Sequence, residues 1–288
     1  LNSPDGIIAR KNILVPAMSE LQDTITLRWN READLPLSMN LPVQPEEYLT
    51  DNNSHDFRIS IRNEILETLV IESLPRWEYR FIRNALVRDP GVNVDCLLFN
   101  TGTGIGAGEG AHYISAFPEG KDRLSEYDVV FLGDVGIGSD QLTGQQAEML
   151  AGLVREQGSG LIFLPGSRGN QLTLNETALH DLLPVDMDAS RPAGSGFSIP
   201  SRLILTSRGR GHLLTMLDSD PARDRTIWRS LPGFYWNAPV IKARPGATVL
   251  GIHSNARNRH GRIPLLVTRH EGNGKVLFMG TDSVWRWR

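Results

Sequence analysis

The sequence contains 288 residues, of which 40% are hydrophobic and 22% charged, and its formal net charge is -3. This composition can fill a hydrophobic core and excludes a largely disordered chain. No run approaches the roughly 18 consecutive apolar residues of a membrane helix. The single cysteine, Cys96, excludes an internal disulfide framework and a cysteine-based zinc site. We therefore expect a soluble chain with two domains.

Charged residues are distributed unevenly along the chain. Residues 64–190 contain 19 acidic and 8 basic side chains, whereas residues 191–288 contain 5 acidic and 16 basic ones. One interpretation is a C-terminal surface that binds anions or nucleic acid. We favour the other interpretation, in which two parts of one domain offset each other's charge, because the arginines are scattered and no aromatic residues alternate with them.

The first region, residues 1–63, has β character. Residues 23–29 and 57–62 each alternate apolar with polar or charged side chains, a pattern typical of half-buried antiparallel strands. Loops between these strands are indicated by the prolines at positions 36, 42 and 45. We expect a small β-sandwich or part of one.

From residue 64 onward, short apolar runs alternate with segments of helical spacing. Four strands are predicted at residues 68–71, 92–99, 127–133 and 160–164. Helices are predicted after Pro75, after Thr143 and after Thr173, and the two threonines each open a capping-box pattern.

This alternation predicts the fold class of the second region. Strands that are apolar on both faces, with helices between them, indicate an α/β domain with a doubly wound, mostly parallel sheet. Further strands at its C-terminal side are predicted at residues 201–206, 247–253, 262–269 and 274–280.

The candidate ligand-binding residues follow the predicted strands, because ligands of open α/β sheets bind outside the carboxyl ends of the strands. Arg76 and Glu78 lie in the first turn of the helix after the first strand. Asp134 follows the third strand, and Ser167 and Arg168 follow the fourth.

Ser167 is also the low-ranked candidate for a catalytic residue. A hydrolase elbow has the pattern Gly-x-Ser-x-Gly between a strand and a helix. Gly169 fits this pattern, but Pro165 replaces the first glycine. A serine nucleophile also needs a nearby base and a third group that orients the base. Three alternatives stay open: Ser167 is a nucleophile, it binds an anion together with Arg168, or it belongs to a turn only.

We predict no cofactor and no metal. The glycine-rich run at residues 102–110 lacks the spacing of a dinucleotide fingerprint, no helix is predicted after it, and the chain has no Walker lysine motif. No two histidines have close helical spacing, and no carboxylate cluster accompanies them.

Five stretches together carry a resemblance to a known family: residues 69–81, 127–134, 158–166, 182–185 and 280–288. Their order and spacing resemble the glutamine-amidotransferase-like domain of large, uncharacterised, membrane-anchored bacterial proteins. The resemblance covers residues 64–288 and implies a flavodoxin-like sheet, preceded over residues 1–63 by an immunoglobulin-like β module that is complete or partial. It also implies that the chain is an excised, extracytoplasmic part of a cell-envelope protein.

The resemblance further implies a cysteine on the turn after the fourth strand and a later His-x-Glu pair. That position falls at about Pro165 or Gly166, and His-x-Glu does not occur in the chain. We therefore expect a pseudoenzyme, a non-catalytic binding or interaction module of a bacterial cell-envelope protein whose partner is a small molecule or a protein and not nucleic acid. The alternative is a hydrolase or amidotransferase-type enzyme that uses Ser167 with an unidentified histidine.

Overall fold

The computed structural model describes residues 1–16, 25, 27, 29, 31–45, 47–61, 64–100, 112–118 and 120–287. Within them the chain forms two compact units, Leu1–Glu64 and Ile65–Arg288. The predicted strand at residues 23–29 lies mostly outside the described residues, and so does the glycine-rich run at 102–110.

The first unit contains an antiparallel sheet. Its strands are Asn2–Ser3 (β1), Gly6–Ile7 (β2), Ala33–Asn40 (β3) and Ser54–Ile61 (β4), in the order β2-β1-β3-β4. The alternating pattern at 57–62 is confirmed, because its described residues lie in β4. The loop expected at Pro36 is wrong, since Pro36 lies inside β3 opposite Arg58. Its missing N–H is tolerated because β1 pairs with β3 at Ser38 alone.

The immunoglobulin-like part of the interpretation has no support from this unit. A sandwich needs two packed sheets, and the described residues of Leu1–Glu64 supply a single sheet.

The strands of the second unit are Leu66–Glu72 (β5), Val92–Leu98 (β6), Tyr113–Ile114 (β7), Val129–Leu132 (β8), Gly160–Phe163 (β9), Val185–Met187 (β10), Ser195–Ser201 (β11), Leu203–Leu205 (β12), Phe234–Asn237 (β13), Val240–Ala243 (β14), Thr248–Asn258 (β15), Gly261–Glu271 (β16) and Gly274–Met279 (β17). Its α-helices are Trp77–Arg88 (α1), Lys121–Leu124 (α2), Gly144–Gly152 (α3), Ala178–Leu182 (α4), Ser207–Arg210 (α5) and Pro221–Ser230 (α6).

One large mixed sheet organises the second unit. Its described strands have the order β12-β15-β16-β17-β9-β8-β5-β6-β7. Pairing is parallel from β17 to β7 and antiparallel from β12 to β17. The prediction of an α/β domain with a mostly parallel sheet and added C-terminal strands is confirmed. Two small ribbons, β10 with β14 and β11 with β13, lie beside this sheet.

Helices cover both faces of the parallel part, as the alternation of side chains along β5 shows. Leu69 and Ile71 belong to the main core, together with Leu150 of α3. Val70 points to the other face and belongs to a smaller cluster with Tyr79 of α1. Because both faces are covered, the short strands β8 and β9 contain only apolar residues and glycine.

The two predicted capping boxes have different outcomes. Thr143 accepts a hydrogen bond from the backbone N–H of Gln146, and the Gln146 side chain accepts one from the N–H of Thr143, so this capping box is confirmed. The box at Thr173 is wrong. Its hydroxyl lies within a 3₁₀ helix, where it donates to the carbonyl of Asn170 and accepts from the N–H of Ile137.

Candidate functional site

A buried carboxylate, Glu72, lies at the carboxyl end of β5 and is 2% exposed. Its Oε1 accepts hydrogen bonds from the backbone N–H groups of Ser73 at 2.9 Å and Asp134 at 3.0 Å. Its Oε2 accepts from Nε of Arg76 at 2.6 Å, which makes a buried ion pair. Burial raises the pKa of Glu72, and Arg76 opposes that shift by favouring the charged form.

Arg76 extends this network to the end of a third strand. Its guanidinium donates to the carbonyl of Pro165 at 3.1 Å and also to the carbonyl of Leu164, directly after β9. Small residues make room for these charges. A Cβ on Gly133 would overlap the Glu72 carboxylate, and a Cβ on Gly166 would overlap Asp134 and Arg76.

Asp134 holds the turn that carries Ser167. Its carboxylate accepts hydrogen bonds from the backbone N–H groups of Arg168 at 3.1 Å and Asn170 at 3.0 Å. The Asn170 side chain donates back to the carbonyl of Asp134 at 2.9 Å. The N–H of Gly169, a residue at φ +70°, donates to the carbonyl of Gly166. An internal carboxylate therefore occupies the amide groups that would otherwise face a ligand.

Ser167 and Arg168 are exposed at the tip of this turn. No hydrogen bond among the described residues joins Ser167 to a histidine. The buried His253 accepts from the backbone N–H groups of Asn255 and Ala256, and His180 contacts Arg244. Among the described residues, Ser167 thus has no hydrogen bond to a base, and Cys96 is fully buried in β6, where burial raises its pKa.

Glu78 connects α1 to the C-terminal segment. It is 9% exposed, and its Oε1 accepts a hydrogen bond from the backbone N–H of Ser283 at 2.6 Å. Ser283 is strained at φ 67° and donates its hydroxyl to Asp282. Burial raises the pKa of Asp282 to about 6, and the charge of Glu78 adds to that rise. Ser283 is the residue directly before the final 3₁₀ turn.

An aromatic cluster lies beside these acids. Trp77, which is 57% exposed, packs against Phe81 and Trp285 with ring centroids 5.7–6.2 Å apart. The guanidinium of Arg80 covers the Trp77 ring at 5.5 Å. Since α1 begins at this edge of the sheet, the exposed indole lies near the charged network.

The structure therefore brings the predicted candidates to one edge but gives them different environments. Arg76 and Asp134 are held by internal bonds, Glu78 binds the C-terminal segment, and Ser167 and Arg168 face solvent. Sequence reasoning did not include Glu72 among the candidates. Its signal was a carboxylate at the end of an apolar strand, four residues before an arginine.

Three comparisons with known proteins bear on the fold. No protein-family model matches the chain, and the search of curated proteins found no match. Two solved structures from Salmonella typhimurium, described as cytoplasmic proteins STM3548 and STM1381, are similar at 18% and 16% identity, each with a TM-score of 0.50. Each match covers 87% of this chain and 85% of the other. A β-galactosidase, Gan42B from G. stearothermophilus, matches at 11% identity and a TM-score of 0.42 over 28% of its length.

These findings correct the resemblance drawn from sequence. Similarity to the glutamine-amidotransferase-like family is wrong, because no family model matches the chain, and two solved structures that match over most of it are described as cytoplasmic proteins. The stretches that carried the resemblance contain β8, β9 and the end of β5 with the turns that follow them, and the general α/β architecture constrains such elements in many unrelated proteins.

The expected place in the cell envelope is wrong as well. Both similar structures are described as cytoplasmic proteins. No helix in the described part of the chain has the length and apolar character needed to cross a membrane.

Replacing Arg76 is expected to destabilise the second unit by about 3 kcal/mol, because Arg76→Met leaves the buried Glu72 carboxylate without its partner. Burial raises the folded-state pKa of Glu72 above the unfolded value, so this group's contribution to stability falls as pH rises through the raised pKa. Without Arg76 that shift is larger. The deficit in urea unfolding should therefore be greater at pH 8 than at pH 5.

The matched control is the double variant Glu72→Gln/Arg76→Met, which removes both charges. We expect it to be more stable than Arg76→Met at pH 8 and to lose the extra pH dependence. Equal stability of the two variants at pH 8 would show that the ion pair is not what Arg76 contributes.

The raised pKa of Asp282 predicts a second effect of pH on stability. Its folded-state pKa of about 6 is higher than the ordinary value of 3.8, so its contribution to stability is lost as pH rises from about 4 to about 6. Asp282→Asn should raise stability by about 1 kcal/mol at pH 7.5, allowing for partial solvent screening, and by nothing at pH 4. Thermal unfolding at the two pH values measures this. A gain of equal size at both would exclude ionisation as its cause.

Proposed function

We propose that the second unit is a non-catalytic binding module on a flavodoxin-like sheet, and that its ligand binds at the carboxyl edge beside the turn at residues 165–170. The observation that carries this proposal is the bonding of Asp134. Its carboxylate takes the N–H groups of Arg168 and Asn170, so these two amides cannot stabilise an oxyanion.

The missing base leads to the same conclusion. Nucleophilic catalysis by serine needs a base within hydrogen-bond reach of the hydroxyl. Ser167 has no such partner among the described histidines, and the Glu72 carboxylate behind the turn is saturated by two backbone amides and Arg76.

Rigidity of the turn suits binding. The Arg76 guanidinium donates hydrogen bonds to the Leu164 and Pro165 carbonyls of this segment. The Asp134 carboxylate accepts a hydrogen bond from the backbone N–H of Arg168. A preorganised surface loses little conformational entropy when it binds. The side chains left to a ligand are the hydroxyl of Ser167 and the guanidinium of Arg168.

The exposed aromatic group supplies the apolar part of the surface. Trp77 follows Arg76 directly, so it belongs to the same edge, and more than half of its surface is open to solvent. Tryptophan and arginine are the residues most enriched at binding hot spots. We infer a ligand, a small molecule or a protein segment, that offers an apolar group to Trp77 and a hydrogen-bonding or anionic group to Ser167 and Arg168.

The catalytic alternative is tested with a fluorophosphonate probe, which labels activated serines. We expect no more labelling of the wild-type chain than of Ser167→Ala, because an unactivated hydroxyl reacts slowly. A trypsin-like hydrolase serves as the positive control. Labelling that disappears in Ser167→Ala would establish an active nucleophile and overturn the proposal.

The binding surface is tested with a library of small molecules and peptides screened by thermal shift. For ligands that stabilise the wild type, Arg168→Ala and Trp77→Ala should each weaken binding about tenfold. Arg225→Ala, at an exposed arginine on α6, is the matched control and should leave affinity unchanged. Ligands that bind all four proteins equally would place the site elsewhere.

A further inference from the structure

A cavity in the second unit has a volume of about 520 Å³. Three segments of the second unit surround it: the loop at residues 188–195, the end of β13 with the start of β14, and the tip of the β15–β16 hairpin. Neither Ser167 nor Arg168 lines it. Its volume is in the range of sites that hold small molecules.

Positive charge dominates the lining of this cavity. Arg191, Arg257 and Arg259 contribute three guanidinium groups, and none of them makes an ion pair within the described part of the chain. Asp188 is the one carboxylate among the lining residues. It accepts hydrogen bonds from the N–H and hydroxyl of Ser190, which lower its pKa. The cavity therefore carries an excess of about two positive charges.

The adjoining cavity has a similar excess of positive charge, but two of its cations are paired. This second cavity, of about 350 Å³, shares Arg259 and His260 with the first, and its remaining cations are Lys242 and Arg244. Lys242 and Arg244 both pair with Asp186, at 3.6 and 2.8 Å. Paired cations have little left to offer a ligand, whereas unpaired arginines bind oxyanions through two parallel N–H groups.

The lining of the first cavity also includes Asn237, whose side chain has an acceptor atom without a partner among the described residues. Asn237 is 5% exposed, and its Nδ2 donates to the carbonyl of Ala238 at 2.7 Å. Its Oδ1 is a buried acceptor with no hydrogen-bond partner among the described residues. A buried acceptor of this kind calls for a donor. Because Oδ1 is closed to solvent, a ligand hydroxyl reaches it only when the Asn237 side chain turns into the cavity.

We propose that this cavity binds a small hydroxylated oxyanion, of the class of sugar phosphates, with the anionic group held by Arg257 and Arg259 at the hairpin tip and by Arg191 opposite. This site accounts for three of the 16 basic side chains of residues 191–288. It is independent of the proposed function at the carboxyl edge.

Isothermal titration of the purified chain with glucose 6-phosphate, inorganic phosphate, citrate and glucose tests the ligand class. The expected order is glucose 6-phosphate tightest, then phosphate, with no measurable binding of glucose. If citrate binds more tightly than glucose 6-phosphate, the site binds carboxylates and the proposed phosphate class is wrong. Absence of binding by every anion at low salt would overturn the proposal.

Variants test the location. Arg257→Ala/Arg259→Ala should weaken glucose 6-phosphate binding at least tenfold, and Asn237→Asp, which adds a negative charge to the lining, should weaken it as well. The charge-matched control is Arg208→Ala/Arg225→Ala, two exposed arginines that do not line the cavity, which should change affinity less than twofold. Unfolding temperatures of all variants verify folding.

Equal weakening in both double variants would assign binding to diffuse surface charge and contradict a built site. A titration with a single-stranded oligonucleotide tests nucleic acid as the alternative ligand class. Binding of the oligonucleotide that is tighter than that of glucose 6-phosphate and lost in both double variants would replace the small anion with nucleic acid. Failure of this site leaves the Ser167 and Arg168 experiments unaffected, because their readouts use other residues.

Discussion

The buried carboxylate of Glu72 is the contact on which the carboxyl edge of the sheet depends. It receives the amide of Ser73 after its own strand, the amide of Asp134 after β8, and the guanidinium of Arg76, which in turn binds the carbonyls after β9. Three neighbouring strand ends thus meet around one negative charge. Water is excluded there, so each partner is needed to offset the cost of burying that charge.

The same principle underlies our proposal that the edge is a binding surface and not a catalytic site. Asp134 repeats the arrangement one strand further along, by using its carboxylate to satisfy the amides of the turn at 165–170. In an active site such carboxylates would face a substrate. Here the carboxylates of Glu72 and Asp134 accept hydrogen bonds from backbone N–H groups instead. What remains for a ligand is the exposed Ser167 and Arg168, together with the indole of Trp77.

Much of the fold could be predicted because its signals are local. The apolar runs at 68–71 and 160–164 and the capping pair of Thr143 and Gln146 depend on residues close together in the chain. Predictions failed where a side chain had more than one possible set of hydrogen-bond partners. Thr173 has the sequence of a helix cap, yet its hydroxyl bonds to Ile137 and Asn170 instead. Helix α6 went unpredicted although Asp220 and Pro221 form an ordinary helix start, because it lies in a segment whose polar residues mask the helical period.

The sequence by itself determined the alternation of strands and helices, the parallel character of the sheet, and which polar residues follow each strand. These follow from periodicity and chain order. Only the tertiary structure decided what those residues do, because Glu72, Asp134 and Pro165 are far apart in the chain and their polar groups interact at distances of about 3 Å. Likewise, Arg191 and Arg257 become one cationic cavity only when a loop and a distant hairpin tip meet around Asn237. Partnering of charge is a property of the folded chain, and it separates the candidates that hold the fold together from those that a ligand can reach.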